Sequence, residues 1–190
     1  MNFSAVILAG GKSSRMGRDK AFLEISGQTL LARQIKLARE TGAAEILISG
    51  RADADYSSLS CRVLQNNFPD AGPLAGIERA LDAAQSPLLL VLAVDFPGMN
   101  AELLRRFVAR CPENIGAIPR INGSIEPLAA IYPKSAHKLA AAQIAIGRFA
   151  VKDFAGLCVQ SGWVRLVELE ASASRHFVNW NSPADWPSSP

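Results

Sequence analysis

The segment Leu8–Lys20 has the composition of a loop that binds phosphate. It reads LAGGKSSRMGRDK, and it packs four cations into nine positions: Lys12, Arg15, Arg18 and Lys20. Glycine lets backbone N–H groups approach a ligand closely, because no Cβ intervenes. Arg15 offers a planar fork and Lys20 a point charge to phosphate oxygens. These residue types predict a polyphosphate ligand, and the alternative is a long solvated turn with incidental charges.

The spacing of the glycines excludes two better-known phosphate loops. The P-loop pattern G-x-x-x-x-G-K-[ST] requires a glycine where this chain has Val6. The dinucleotide-binding pattern G-x-G-x-x-G is broken at once by Gly10-Gly11-Lys12. The loop therefore belongs to neither class.

A carboxylate follows the most hydrophobic strand that the sequence predicts. The run Leu88–Val94 (LLLVLAV) leads directly into Asp95, and Pro97 stiffens the turn that presents it. Magnesium binds proteins through one or two carboxylates together with substrate phosphates, so Asp95 is a candidate Mg²⁺ ligand. The alternative is an Asx-type turn residue ahead of the next helix.

Two further segments have residue types suited to binding a heterocycle or a ribose. Asp70 opens DAGPLAG, in which Gly72 and Gly76 flank the entry to a helix. Backbone groups in such a turn can contact a base edge or a ribose, although a plain loop-to-helix entry explains it equally. Asn179 and Asn181 would share one face of an extended segment and could bind a polar heterocycle. Their alternative role is to satisfy turn backbone ahead of a cap at Ser182.

Apolar runs alternate with helical patterns along the chain, which predicts an α/β protein. The predicted strands are Ser4–Ala9, Glu45–Ser49, Arg62–Gln65, Leu88–Val94, Gly116–Pro119, Glu126–Tyr132 and Val164–Leu169. The predicted helices are Leu30–Glu40, Pro73–Ala84, Ala101–Arg110, Ser135–Ile146 and Phe149–Val159, with a short helix starting at Ser182.

Continuously apolar strands between helices indicate a mostly parallel, doubly wound Rossmann-like sheet with helices on both faces. We place Leu88–Val94 at its centre, and Asn122-Gly123 predicts the tip of a β-hairpin excursion. In such sheets, ligands bind beyond the carboxyl ends of the strands. Most of the candidate residues follow strands at that edge.

Composition sets the broad class of the protein. The 190 residues are 49% hydrophobic and 19% charged, with a net charge of +3, which suits one globular domain. The chain has no block of basic residues that would indicate nucleic-acid binding. No run approaches the roughly 18 apolar residues of a membrane span. Three widely spaced cysteines without a CxxC pair predict reduced thiols in a cytoplasmic protein.

The sequence resembles the molybdenum cofactor guanylyltransferase family of nucleotidyltransferases. LAGGKSSRMGRDK is very similar to that family's pattern L-A-G-G-x-S-x-R-M-G-x-D-K. Further blocks follow in the family's order, namely DAGPLAGI, VDFPGM, EPLAAIYP and FVNWNSPAD. The resemblance covers essentially the whole chain.

This resemblance implies a fold of the nucleotide-diphospho-sugar transferase type, and it implies a reaction. GMP would pass from GTP to the phosphate of molybdopterin, releasing pyrophosphate and forming molybdopterin guanine dinucleotide. One domain, 1–190, would bind GTP and Mg²⁺ through about 1–100 and molybdopterin through about 101–190. Molybdoenzyme apo-proteins or their chaperones are plausible partners.

The resemblance also assigns residues. Arg15, Lys20 and Asp95 would be catalytic, Asp95 would hold Mg²⁺, and Asn179 and Asn181 would bind molybdopterin. The nucleotide-binding residues would be Leu8, Ala9, Gly10, Gly11, Arg15, Lys20, Ser49, Asn66, Gly72, Pro73, Leu74, Gly76 and Asp95.

Two positions depart from the family's pattern. Ser49 stands where the family often has asparagine, and Asn66 or Asn67 stands where it often has aspartate. Serine and asparagine still form hydrogen bonds, but neither is a carboxylate, so the base preference stays open. A cytidylyltransferase acting on the same pterin, a sugar-phosphate nucleotidyltransferase and a guanine-nucleotide-binding cofactor carrier are the alternatives. The LAGG, EPLAAIYP and NWNSP blocks resemble the guanylyl branch.

The sequence does not select a ligand for the pterin phosphate. Four residues have a suitable charge: Arg120, His137, Arg148 and Arg175. His137 and His176 lack metal-ligand spacing and a nucleophile partner pattern, so we interpret both as structural or surface residues.

Overall fold

The computed structural model describes residues 1–10, 19–68, 70–112 and 114–179. Its strands are β1 Phe3–Leu8, β2 Glu24–Ile25, β3 Gln28–Thr29, β4 Glu45–Ser49, β5 Arg62–Leu64, β6 Leu88–Ala93, β7 Gly116–Ile121, β8 Ser124–Ile125, β9 Ala129–Pro133 and β10 Val164–Glu168. Its α-helices are α1 Leu30–Thr41, α2 Gly72–Ala83, α3 Ala101–Ala109, α4 His137–Ala145 and α5 Val151–Gln160. Short 3-10 helices span Lys20–Phe22, Ser57–Leu59, Lys134–Ala136 and Ala171–Phe177. No helix within these ranges is long and apolar enough to cross a membrane.

Eight of the described strands form one mixed sheet. Its order is β10-β7-β9-β6-β1-β4-β5, and β8 pairs with β7 at the side. Strands β5, β4, β1 and β6 run parallel to one another, β7 and β10 form a second parallel pair, and β9 runs antiparallel between β6 and β7. The prediction of a mostly parallel α/β sheet with a hairpin excursion is confirmed, and β6 lies at its centre.

The central strand β6 is apolar throughout because helices cover both faces of the sheet. In β6, Leu90 and Leu92 point into one hydrophobic cluster, while Leu89 and Val91 point into the other. Helices α1 and α3 contribute to the first cluster, and α2, α4 and α5 contribute to the second. Successive strand side chains alternate between faces, so a strand buried on both faces reads as a continuous apolar run.

The hairpin has a shorter returning strand than the sequence predicts. Asn122 and Gly123 adopt φ values of 50° and 79°, which confirms the turn. Glu126–Tyr132 is not one strand, because the chain turns after β8 and the next strand starts only at Ala129. Pro127 supplies no N–H to a ladder, which favours the break.

The sequence patterns did not predict the shortest elements. The β2–β3 hairpin and the 3-10 helix Ala171–Phe177 are too short to show a hydrophobic period. The helix predicted over Ser135–Ile146 divides into the 3-10 helix Lys134–Ala136 and α4. The helix predicted from Ser182 lies outside the described residues.

Gly116 provides a test of how tightly β7 packs in the sheet. A Cβ at this position would clash with the carbonyl oxygen of Ile131 and lie 2.9 Å from Cγ2 of Val164. Gly116→Ala should therefore lower the free energy of unfolding by about 1–3 kcal/mol, measured by urea denaturation. Gly156→Ala is the matched control, because a Cβ there meets nothing within 4 Å and α5 should gain about 0.5–1 kcal/mol. Equal stability of the two variants would contradict this packing.

Candidate nucleotide-binding site

Hydrogen bonds join the ends of β1, β4 and β6 at one edge of the sheet. The Ala9 N–H donates to the Ser49 carbonyl over 2.9 Å, and the Val94 N–H donates to the Leu8 carbonyl over 3.2 Å. The segments that follow β1, β4 and β6 carry predicted site residues, and they leave the sheet next to one another. Gly11 and Arg15 lie outside the described residues.

The first turn of α2 packs directly on these strand ends. A Cβ on Gly76 would come within 2.5 Å of the Ser49 Oγ and 2.9 Å of the Leu8 Cδ2, so a larger residue here would have to displace both side chains. Helix α2 begins at Gly72 with Pro73 in its first turn, and its N-cap residue, Ala71, makes no side-chain capping bond. Leu74 is fully buried in the core, so its side chain is not available to a ligand.

Ser49 and Asn66 form a hydrogen-bonded pair. The Ser49 Oγ donates to the Asn66 Oδ1 over 3.1 Å, and Ser49 is buried while Asn66 is half-buried. Asn66, rather than the exposed Asn67, is therefore the residue that joins the end of β4. Because its carbonyl oxygen accepts from Ser49, the amide leaves N–H donors for other groups.

Lys20 and Asp95 face each other across the site. The Lys20 Nζ lies 3.9 Å from the Asp95 Oδ2, and their side chains are 18% and 25% exposed. Lys20 opens a short 3-10 helix that Asp19 caps by accepting from the Ala21 N–H over 3.0 Å. Asp95 lies two residues past the end of β6. The structure therefore sets a cation from the β1 loop against the carboxylate of the central strand.

Electrostatics favour a further cation beside Asp95. Burial raises the pKa of the Asp95 carboxyl above its ordinary value, and the charge of Lys20 only partly opposes this rise. The ionised carboxylate is thus incompletely stabilised by the protein. No group of three or more His, Cys, Asp or Glu within the described ranges could hold a metal. A single half-buried oxygen ligand still fits Mg²⁺, which takes its remaining ligands from water and substrate phosphates.

The turn after Asp95 is covered by the C-terminal segment. The rings of Phe96 and Phe177 meet edge to face with centroids 6.1 Å apart. The His176 Nδ1 lies 2.6 Å from the Gly98 carbonyl oxygen. The exposed Asn179 follows this segment, two residues after Phe177. Asn181 lies outside the described residues.

The candidates for the pterin phosphate have mixed surroundings. Arg120 pairs with Glu168 of β10, and the His137 Nε2 lies 2.8 Å from the Glu78 Oε1, linking α4 to α2. His137 and His176 thus both contact other elements, in agreement with structural roles. Arg148 and Arg175 are exposed. Sequence reasoning had no signal for any of these long-range contacts.

The first strand leads into a glycine-rich, cationic stretch of sequence, and Lys20 at the end of that stretch faces Asp95 beyond the central strand. These features indicate a nucleotidyltransferase. Residues 5–153 match the model of the MobA-like NTP transferase domain. The chain belongs to this family of nucleotidyltransferases.

Relatives extend the match over nearly the whole chain. A protein of Opitutus terrae is 37% identical over 185 residues, which are 96% of this chain and 92% of that protein. A protein of Carboxydothermus hydrogenoformans is 34% identical over 188 residues, covering 97% and 93% of the two chains. Both are named probable molybdenum cofactor guanylyltransferase.

A solved structure supports the fold. Molybdopterin-guanine dinucleotide biosynthesis protein A of Archaeoglobus fulgidus superposes with a TM-score of 0.69 at 23% identity. The superposition covers 96% of this chain and 94% of that one. The predicted fold type is confirmed.

The raised pKa of Asp95 predicts that the ionised carboxylate lowers the stability of the folded protein. The folded protein binds the Asp95 proton more tightly than the unfolded chain does. Ionisation therefore lowers stability as the pH rises from about 4 through the folded-state pKa. Asp95→Asn should then melt at a higher temperature than the parent protein at pH 7 in chelator, and the difference should shrink toward acidic pH.

Asp82→Asn is the control for this comparison, because Asp82 is exposed and pairs with Arg79 on α2. We expect no rise in its melting temperature. A lower melting temperature for Asp95→Asn than for the parent at pH 7 would contradict the cost assigned to the buried carboxylate.

Proposed function

We propose that the protein transfers GMP from GTP to the phosphate of molybdopterin, forming molybdopterin guanine dinucleotide. The observation that carries the proposal is the Lys20–Asp95 pair at the edge where β1 and β6 end. The family and the names of two near full-length relatives support the same reaction.

The chemistry needs positioning and charge neutralisation more than proton transfer. An oxygen of the molybdopterin phosphate attacks the α-phosphorus of GTP, a new P–O bond forms, and the bond to the β-phosphate oxygen breaks. Pyrophosphate takes the electron pair. The attacking phosphate is already an anion, so no strong general base is required.

The residues divide these tasks. The backbone around Gly10 lets phosphates approach closely, and Lys20 neutralises their charge. Arg15, which lies outside the described residues, has the same role as Lys20. Asp95 would hold Mg²⁺, which neutralises charge on the reacting phosphates when bound. Residues of about 1–100 bind the nucleotide, and residues of about 101–190, including Asn179 and Asn181, bind molybdopterin.

The pair Ser49–Asn66 bears on the choice of base. A neutral amide with free N–H donors suits acceptor atoms of a base, which guanine and cytosine both possess. A cytidylyltransferase acting on the same pterin is therefore the second candidate function.

The cysteines support a reducing compartment, and we propose a cytoplasmic location. Cys61, Cys111 and Cys158 are free thiols, and burial raises the pKa of Cys111 to about 11 and of Cys158 to about 12. Such thiols are poor nucleophiles at neutral pH.

Molybdoenzyme apo-proteins or their chaperones are the expected recipients of the product.

The reaction is tested by pyrophosphate release with GTP, CTP and ATP in parallel, with molybdopterin and with or without Mg²⁺. We expect magnesium-dependent turnover with GTP. Lys20→Met and Asp95→Ala should each lose about 100-fold or more in kcat, because both remove charge stabilisation at the reacting phosphates. Asp82→Asn should retain the parent rate.

The outcomes separate the candidates. Turnover with CTP alone would indicate the cytidylyl reaction and keep the phosphate and metal assignments. Tight GTP binding without turnover would indicate a carrier. Full activity of Asp95→Ala with Mg²⁺ would overturn the metal assignment.

Asn179 tests the pterin side of the site. Loss of its amide hydrogen bond in Asn179→Ala should raise the KM for molybdopterin about ten-fold and leave the KM for GTP unchanged. Steady-state kinetics with each substrate varied in turn measure both constants. Val178→Ala, a change of the neighbouring exposed residue, is the control. A rise in the KM for GTP, with the KM for molybdopterin unchanged, would contradict the assignment of Asn179 to molybdopterin.

A further inference from the structure

A buried amide of α1 contacts the turn that presents Asp95. Gln34 is 3% exposed, and its Nε2 donates a 2.8 Å hydrogen bond to the carbonyl oxygen of Phe96. The same carbonyl accepts from the Met99 N–H over 3.2 Å. The carbonyl of the residue next to Asp95 is thus the point at which the turn closes on itself and attaches to a helix.

The ring of Phe96 is held as well as its carbonyl. It is buried at 2% exposure and packs against Phe177. The residue after Asp95 is therefore fixed by its main chain to α1 and by its side chain to the C-terminal segment. Little freedom is left to the backbone that sets the direction of the Asp95 carboxylate.

Stability alone does not account for a glutamine at position 34. Its neighbours on the same face of α1 are apolar and buried, namely Leu30, Leu31, Leu37 and Ala38. The Gln34 Oε1 is buried without a hydrogen-bond partner among the described residues, which carries a desolvation cost. An apolar side chain of similar size would fill this position without that cost.

We propose that Gln34 is a positioning residue for nucleotidyl transfer. It touches neither substrate nor metal. Its amide holds the Phe96 carbonyl, and this contact sets the Asp95 carboxylate opposite Lys20. The inference rests on the proposed function for the role of Asp95, whereas the contact between Gln34 and the turn stands on the geometry.

Gln34→Met tests the proposal, because methionine keeps the unbranched shape and removes the donor. Mg²⁺ is titrated in the GTP and molybdopterin assay. The magnesium concentration at half-maximal rate should rise about ten-fold or more, as is typical when a partner of a metal ligand is lost. The KM for GTP at saturating Mg²⁺ should change less than two-fold, on the order of the scatter between similar variants.

Thr41→Val is the matched control. Thr41 is a buried residue of the same helix, and its Oγ1 donates to the Leu37 carbonyl over 2.8 Å, away from the Asp95 turn. It should lose stability without any shift in the magnesium requirement. An equal shift in both variants, or none in Gln34→Met, would overturn the proposal.

Amide hydrogen exchange at Met99 supplies a readout that needs neither metal nor turnover. The Met99 N–H closes the turn on the Phe96 carbonyl, so its exchange should quicken in Gln34→Met and not in Thr41→Val. Unchanged exchange would overturn the proposal even if activity fell. A parent protein without magnesium-dependent turnover would instead refute the proposed function, and the Met99 comparison would still decide whether Gln34 holds the turn.

A second variant keeps the proposal testable if Gln34→Met does not fold. Gln34→Asn keeps the amide but is one methylene too short to reach the Phe96 carbonyl, and the same magnesium shift is expected. Failure of both variants to fold would show that Gln34 serves the core as a whole, and this result would overturn the specific role.

Discussion

The parallel pairing of β1 with β6 sets Leu8 opposite Ala93, and the candidate site depends on that register. The bond from the Val94 N–H to the Leu8 carbonyl continues the pairing one residue past the strands. The chain then diverges into the glycine-rich loop on one side and into Asp95 on the other. A slip of one residue would turn every side chain of the strand to the opposite face and separate these two loops.

The same edge concentrates groups that the protein stabilises poorly. Burial destabilises the ionised Asp95 carboxylate, and the charge of Lys20, whose Nζ lies 3.9 Å away, only partly offsets this. Among the described residues, the Asp19 Oδ2 and the Gln34 Oε1 are buried oxygens without hydrogen-bond partners. Both residues adjoin the Lys20–Asp95 pair through the chain or through the Phe96 turn. Of these groups, the Asp95 carboxylate is the one that a bound cation would stabilise.

Much of this architecture could be predicted from the sequence. The apolar runs place β1, β4 and β6 within about one or two residues of their observed bounds, because strands buried on both faces have an unmistakable composition. The edge on which Ser49 and Asp95 lie follows from parallel pairing alone. The division of EPLAAIYP was not predicted, although Pro127 is a local signal for it, because proline supplies no N–H to a strand ladder. The pairing of β9 with both β6 and β7 has no such signal, because it depends on tertiary contacts. The bond from Gln34 to Phe96 joins residues 62 positions apart and has no local signal.

The most direct test of this account is a crystal structure of the protein with Mn²⁺ and a non-hydrolysable GTP analogue. Anomalous scattering locates the manganese independently of the protein. We expect one manganese ion coordinated by an Asp95 oxygen and by phosphate oxygens, with the phosphates over Ala9–Gly10 and beside Lys20. Phosphates at this edge with manganese bound away from Asp95, or a nucleotide bound elsewhere on the sheet, would contradict it.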